Sequence, residues 1–464
     1  MVQRVHMTSK QRYVFIVCAL SNFISPFMIS SLNLSTPYIS TEFQSGAATV
    51  TWVVTSYSLG MAIFGIPLGH FADVKGRKFL MTLGSALMAL SALVAAFAPS
   101  IEVLIGSRFV MAFAADAMMA SNNALLLLAF PPEHKGRMLG YSAAFISLGM
   151  TLGPVVGGFI NDLLNWRWIF ILTAVMIAIV FVLTVFHIES DSKTVTERFD
   201  GLGAAMVMTG VFTMMLGLSE LTAYFWGPWC FAAGIALLVV FVVHELRIDH
   251  PVLNVRLFAQ NHTYARANIV AMLKSMGTFA ISYTMAIYLE VSQGLDASVA
   301  GLVMLTMPAM QACLSPIAGT LADRFRSTTV MTTGIVLVSI GLFLLSTVDR
   351  SPSLAFVICV LLLVGLGNAL FMAPNNSVIM SCVEPENYSE ANALLTSMRS
   401  TGTATSVVIV GLILNATVGN AVLNTIPPSD LAYAIHMVML VSGCLCATAA
   451  VCSGWPQKKR KQKR

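Results

Sequence analysis

Three ionisable residues stand inside otherwise apolar stretches: Arg108 and Asp116 in one, Lys274 in another. A charged side chain at the centre of a bilayer costs about 2.5–3.5 kcal/mol on insertion scales, so such residues persist where they work. Their types point to moving protons and charged ligands rather than to breaking bonds. Arg108 and Asp116 are eight residues apart. On a helix they share a face but lie about 12 Å apart along the axis, too far for a direct pair. Asp116 falls near the middle of its stretch, where a carboxyl can take up and release a proton as its surroundings turn from dry to wet. Two alternatives stand beside that carrier role. One is a permanent Asp116–Lys274 salt bridge; the other is a pair that forms in one state and breaks in another. Lys274 sits near enough to the start of its helix for its ammonium to snorkel to the surface instead. If it faces inward, two fixed positive charges meet one acid. That balance favours anionic, zwitterionic or neutral amphipathic ligands over lipophilic cations.

Other chemistries lack a foothold. No P-loop is present, and neither H-E-x-x-H nor G-x-S-x-G occurs in a suitable context, so the chain is not expected to be an enzyme. The eight cysteines form no C-x-x-C pair. They read as small core hydrophobes with no disulfide, and no metal or other cofactor is expected.

The elements that position these residues are membrane helices. The chain has 464 residues, 57% hydrophobic and 10% charged, with a mean hydropathy of +0.81. Fourteen spans are predicted, at 13–36, 48–70, 79–98, 101–129, 138–161, 167–187, 201–221, 227–244, 267–290, 298–321, 328–348, 354–380, 392–415 and 431–454. They leave short loops and no room for a soluble domain. The first span lacks a cleavage site and is read as retained. Of the 26 Lys and Arg, 21 fall at the N-terminus, in even-numbered connections or in the tail from Lys458 to Arg464. Only Arg167 and Arg350 fall on the opposite side. The positive-inside rule therefore places both termini in the cytoplasm, and the net charge of +5 reflects this bias rather than nucleic-acid binding.

Two further patterns concern motion. Gly149, Gly153 and Gly157 recur at i, i+4 and i+8 within the fifth span, beside Pro154 and Gly158. They make a bare stripe that lets a neighbouring helix approach at backbone distance, as a seam between pivoting bundles requires. Gly69-x-x-Ala72-Asp73 after span 2 and Gly319-x-x-Ala322-Asp323 after span 10 repeat one another 250 positions apart, each followed by basic residues. The repeat implies a duplicated half. Six spans per half leave spans 7 and 8 as an insertion. The predicted architecture is all-α, 6 + 2 + 6, with two pseudo-symmetric bundles at 1–187 and 265–464 and a linker with the inserted pair at 188–264.

These motifs together resemble the 14-span drug:proton antiporter branch of the major facilitator superfamily. Asp73 with Gly76, Arg77 and Lys78 matches the superfamily's signature loop, and Gly149 to Gly158 matches the motif of its antiporters. The segments Phe130–Arg137, Trp166–Phe170, Pro251–Phe258 and Arg399–Gly402 match further parts of the pattern. The resemblance implies a multi-pass protein of the cytoplasmic membrane. It would work as a monomer and export small amphipathic compounds against protons by alternating access. It implies that spans 1, 4, 9 and 12 line the cavity and that Gly69, Asp73, Gly76 and Arg77 latch a cytoplasmic gate, with Asp323 as a weaker counterpart. Met28 stands where the branch carries an aspartate, near Asn33 in span 1, and removes the acidic group expected there. Asn375 and Asn376, after Pro374, add amides at mid-membrane in span 12. Two other readings remain: a specific exporter of an anionic or zwitterionic metabolite or lipid, and a non-transporting receptor or scaffold.

Overall fold

A bilayer core offers the backbone no water, so every peptide group there must be satisfied within the chain, and a helix does this alone. The computed structural model describes residues 8–189, 200–221, 224–248, 253, 255–347, 353–383, 388–419 and 421–454; within these, some side chains near 73, 132–140, 323 and 388–393 are not described. The basic tail and Arg350 lie outside the described residues, as do parts of the 251–258 segment. Fourteen described helices are long and apolar enough to cross a membrane. They are Ser9–Asn33, Ala47–Gly69, Arg77–Ala96, Ile101–Asn122, Tyr141–Leu163, Arg167–His187, Gly201–Ser219, Gly227–Glu245, His262–Ser292, Ala297–Ala322, Ser327–Ser346, Leu354–Met380, Leu394–Val418 and Ser429–Gly454, numbered here as spans 1 to 14.

Spans 6 and 12 begin and end as the hydropathy predicts. Span 9 begins earlier, because the Asn261 side chain caps it by accepting from the Tyr264 amide at 3.2 Å. It also ends later, through a π-helical turn at Tyr288–Ser292. Gly76, between spans 2 and 3, has a φ of +102°. Only glycine takes that conformation without strain, which explains the glycine of the signature loop.

Packing repeats along the chain. Span 1 packs on spans 5 and 6, span 2 on span 4, and span 3 on spans 4 and 6. Adding eight to each number gives the partners in the second set: span 9 on 13 and 14, span 10 on 12, span 11 on 12 and 14. Two seams join the sets, span 5 on span 10 and span 2 on span 13. Spans 7 and 8 pack on each other, and span 7 leans on spans 2 and 13. Their hairpin is clasped where Asp200 bonds the Gly203 amide at 2.9 Å and the His244 ring at 3.1 Å.

The glycine stripe differs from its expected use. Gly149, Gly153 and Gly157 meet Phe23, Phe27, Ser30 and Ser31 of span 1, in the same set of six, rather than the opposite bundle. Ser31 Oγ seals this contact by donating to the Gly153 carbonyl at 2.8 Å. The seam to span 10 lies on the next face of span 5. There Gly158 meets the Ala297 carbonyl and Pro154 meets Gly301. One helix thus has two close faces, because adjacent residues 153/154 and 157/158 point about 100° apart.

The cysteines are free, but only Cys18 and Cys446 are buried, while Cys313, Cys359 and Cys444 are exposed on helix surfaces. The core reading therefore fails for those three, which face outward where a thiol serves as well as any small apolar group.

A Cβ at Gly158 would collide with the Ala297 carbonyl, whereas one at Gly69 would meet nothing within 4 Å. Gly158→Ala is expected to destabilise the purified protein by about 1–3 kcal/mol, the usual cost of overpacking. Gly69→Ala should be neutral or slightly stabilising. Thermal unfolding in one detergent compares them, and equal midpoints would refute the seam assignment.

Candidate substrate and proton site

Arg108 is 1% exposed and ties three helices together. From span 4 its Nε donates to the Val53 carbonyl of span 2 at 3.1 Å, and Nη1 donates to Met28 Sδ of span 1 at 3.4 Å. Its guanidinium lies 4.3 Å from the centre of the Tyr57 ring. Among the described residues it has no carboxylate partner. A carbonyl, a thioether and an aromatic face hold the cation, so the fixed positive charge is not cancelled. Met28 fills the place of the expected aspartate and serves as a weak acceptor there.

Asp116 is also buried, and its Oδ2 has no hydrogen-bond partner. Gly65 of span 2 faces it, leaving room where a Cβ would come within 3.8 Å of both carboxylate oxygens. No Asp116–Lys274 ion pair exists among the described residues, so the permanent salt bridge is not present in this conformation. Lys274 is 7% exposed and does not snorkel; its ammonium lies 5.4 Å from the centre of the Phe371 ring of span 12. The early start of span 9 at His262 explains this. It places Lys274 about 18 Å into the helix, beyond a lysine's reach to the surface.

The amides divide. Asn375 is fully buried with both amide atoms unpartnered, and Asn33 is buried with Oδ1 unpartnered. Each such group costs about 1–3 kcal/mol unless a water or ligand satisfies it. Asn376 instead turns outward and accepts from Arg399 Nη2 at 2.7 Å, tying span 12 to span 13. It does not join Asn375. At the signature loop, Gly69 and its repeat Gly319 both face open space, and Arg77 is half-buried. The side chains of Asp73 and Asp323 lie outside the described residues.

Sequence reasoning missed a second group of residues. The face on which span 1 begins can be called the near face, and the other the far face. At the far face, Asp162 of span 5 bonds Tyr38 at 3.0 Å and the start of span 10. Thr51 of span 2 and Tyr283 of span 9 share a hydrogen bond of 2.9 Å beside the other seam. Glu290 sits in the π-turn with Oε1 buried and unpartnered. It lines a cavity of about 470 Å³ with Tyr38, Asn161, Trp166 and Asp296. Burial, the bond to Asp162 and the nearby carboxylates push the Tyr38 hydroxyl's pKa above its ordinary value, so it remains a donor. One signal was available: Asp162 follows Gly158 by one helical turn, on the same face.

Asp116→Asn should leave thermal stability unchanged or raise it, because no ion pair is broken. A buried salt bridge would instead cost about 3–5 kcal/mol on losing one partner. Thermal unfolding of the two purified proteins decides.

Comparison with known proteins agrees with this architecture. The family model for the Major Facilitator Superfamily matches residues 18–248 and 267–464. The chain is 30% identical over 418 residues to the multidrug resistance protein Stp of Mycobacterium tuberculosis strain H37Rv, covering 88% of this chain and 77% of that one. It is 27% identical over 396 residues to the riboflavin transporter RibZ of Clostridioides difficile strain 630, covering 84% and 86%. Its fold matches, at a TM-score of 0.71 and 15% identity, a bacterial homologue of the human lysosomal transporter Spinster in an inward-facing, unoccupied conformation, covering 96% of each chain. Fourteen apolar helices, the repeated packing of spans and the family match over most of its length establish that the chain belongs to the Major Facilitator Superfamily and is a multi-pass membrane transporter.

Proposed function

We propose that the protein is a proton-coupled antiporter that exports small amphipathic compounds by alternating access. The observation that carries this reading is Asp116, a buried carboxyl on span 4 with an unpartnered oxygen and, among the described residues, no ion-pair partner. A carboxylate held by a permanent partner could not cycle its proton; one without a partner can, whenever the site opens to water. The likeness to a protein named for multidrug resistance supports the substrate class.

The working parts are the bundles 1–187 and 265–464, joined by the linker at 188–264 with spans 7 and 8. The near face is cytoplasmic, with both termini there, and the membrane is the cytoplasmic membrane. The protein works as a monomer in the bilayer, with protons and substrate as its partners. The far-face contacts describe a state closed toward the outside. Gly69, Asp73, Gly76, Arg77 and Asp323 form the cytoplasmic gate that closes in the opposite state.

A second reading, export of a specific metabolite, is favoured by one observation. On spans 4 and 9, Arg108 and Lys274 are buried cations beside the buried acid Asp116, and Met28, where the resembling branch carries an aspartate, contacts Arg108. The likeness to a riboflavin transporter is compatible with it.

Purified protein in liposomes with a trapped pH dye and an imposed proton gradient separates the readings. Cationic, neutral and anionic amphiphiles are added in turn. Proton flux evoked by a substrate should fall to background in Asp116→Asn, and flux that survives would refute the carrier assignment. Met28→Asp places a carboxylate beside Arg108. It should raise flux of monocationic amphiphiles relative to anionic ones by roughly tenfold, the effect of about 1.4 kcal/mol. An unchanged ratio would show that the Arg108 charge does not select substrates.

A further inference from the structure

Span 10 begins at Ala297, and the residue at its N-cap, Asp296, makes no side-chain cap bond. The cap comes from the other bundle. Asp162 Oδ1 accepts from the Ala297 amide at 3.2 Å, and Oδ2 accepts from the Ser298 amide at 2.8 Å. Tyr38 donates its hydroxyl to the same carboxylate at 3.0 Å. Asp162 continues the line of Pro154 and Gly158, the face of span 5 that meets span 10. We propose that Asp162 is the latch of the outer gate: a positioning residue that holds spans 5 and 10 together when the protein is closed to the outside and lets go when it opens. This rests on the alternating-access reading.

The chemistry is that of a carboxylate on a helix N-terminus, where exposed amides and the helix dipole both favour negative charge. It works only while the bundles touch. Parting them returns the carboxylate and both amides to water, so the contact differs between states, as a switching element must. Among the described residues, Asp162 has no cation partner; the nearby Arg167 is committed to Glu42 at 2.6 Å. Its charge is therefore held by backbone amides and by the hydroxyls of Tyr38 and Ser298. Glu290 and Asp296 line the adjoining cavity with Tyr38.

The other seam closes without charge. There the Ala47 amide donates to the Ala421 carbonyl at 2.8 Å, the Leu423 amide to Ser40 Oγ at 3.2 Å, and Thr51 pairs with Tyr283. At this far face, hydrogen bonds run from the first set of spans to the second, and Asp162 brings a charged side chain to them. A latch on the first seam must also govern the second, because the bundles move as bodies.

Hydrogen exchange read by mass spectrometry on the full chain tests this without a known substrate. In Asp162→Asn, exchange at Ala297 and Ser298 should quicken by about tenfold or more, the scale of losing a charge-assisted hydrogen bond. The amides of Ala47 and Leu423 on the untouched seam should lose protection with them, and the segment around Gly76 should gain it. Faster exchange confined to Ala297 and Ser298, or no change, would overturn the latch and leave only a local cap. If Asp162→Asn fails to fold, Tyr38→Phe removes one donor and should shift the same amides in the same direction by less; a purely local effect overturns the proposal there too. The outcomes separate from those of the transport reading. A coupled exchange change beside a silent liposome assay supports the latch while counting against antiport, and a local change with active wild-type flux overturns the latch alone.

Discussion

The backbone-distance approach of span 5 to two neighbours is the contact on which the rest of this structure depends. Lipid gives no hydrophobic push between helices, so association rests on close packing and interhelical hydrogen bonds. Span 5 meets both needs twice. One glycine face presses on span 1 within its own bundle, and the next face presses on span 10 across the seam. Polar residues then lock the first bundle from within: Asn122 donates to Asn22 Oδ1 at 2.7 Å, and Asn22 donates to Ser142. These bonds tie spans 1, 4 and 5 together within the first set.

The central charges sit within this packing. Arg108 is gripped by spans 1, 2 and 4 through groups that cannot neutralise it. Asp116 lies on the same helix with space before it and an oxygen that nothing satisfies. Lys274 stands in the other bundle against an aromatic ring. Each charge is buried, and among the described residues none forms an ion pair with another. In an apolar medium such separation is unfavourable, and it is the condition a transporter needs if a proton or substrate is to complete the site in turn. The unpartnered amides of Asn33 and Asn375 extend the same unfinished surface to spans 1 and 12.

Spans 7 and 8 have a defined place in the packing. Spans 7 and 8 close on each other through Asp200 and His244, and span 7 rests where spans 2 and 13 meet. Beside it opens a smaller cavity of about 300 Å³, lined by Thr51, Trp52, Glu220 and Asn415. The pair thus lies against the seam without replacing any contact of the repeated packing.

Hydropathy alone determined the number of spans and most of their bounds, because a bilayer demands about twenty apolar residues per crossing and tolerates few substitutes. Spacing revealed the glycine stripe and the repeated G-x-x-A-D segments, and residue type marked Arg108, Asp116 and Lys274 as out of place. Sequence spacing does not say which helix a stripe will meet, so the division of span 5 between spans 1 and 10 came only from tertiary packing. The same holds for the partners of the charges. Whether Asp116 met Lys274, or Lys274 reached the surface, depended on where span 9 begins and how the bundles sit, and a single cap by Asn261 decided the first. Asp162 was passed over because one acid at a helix end is ordinary in a sequence. Its role exists only where the start of span 10, some 135 residues away, is brought against it.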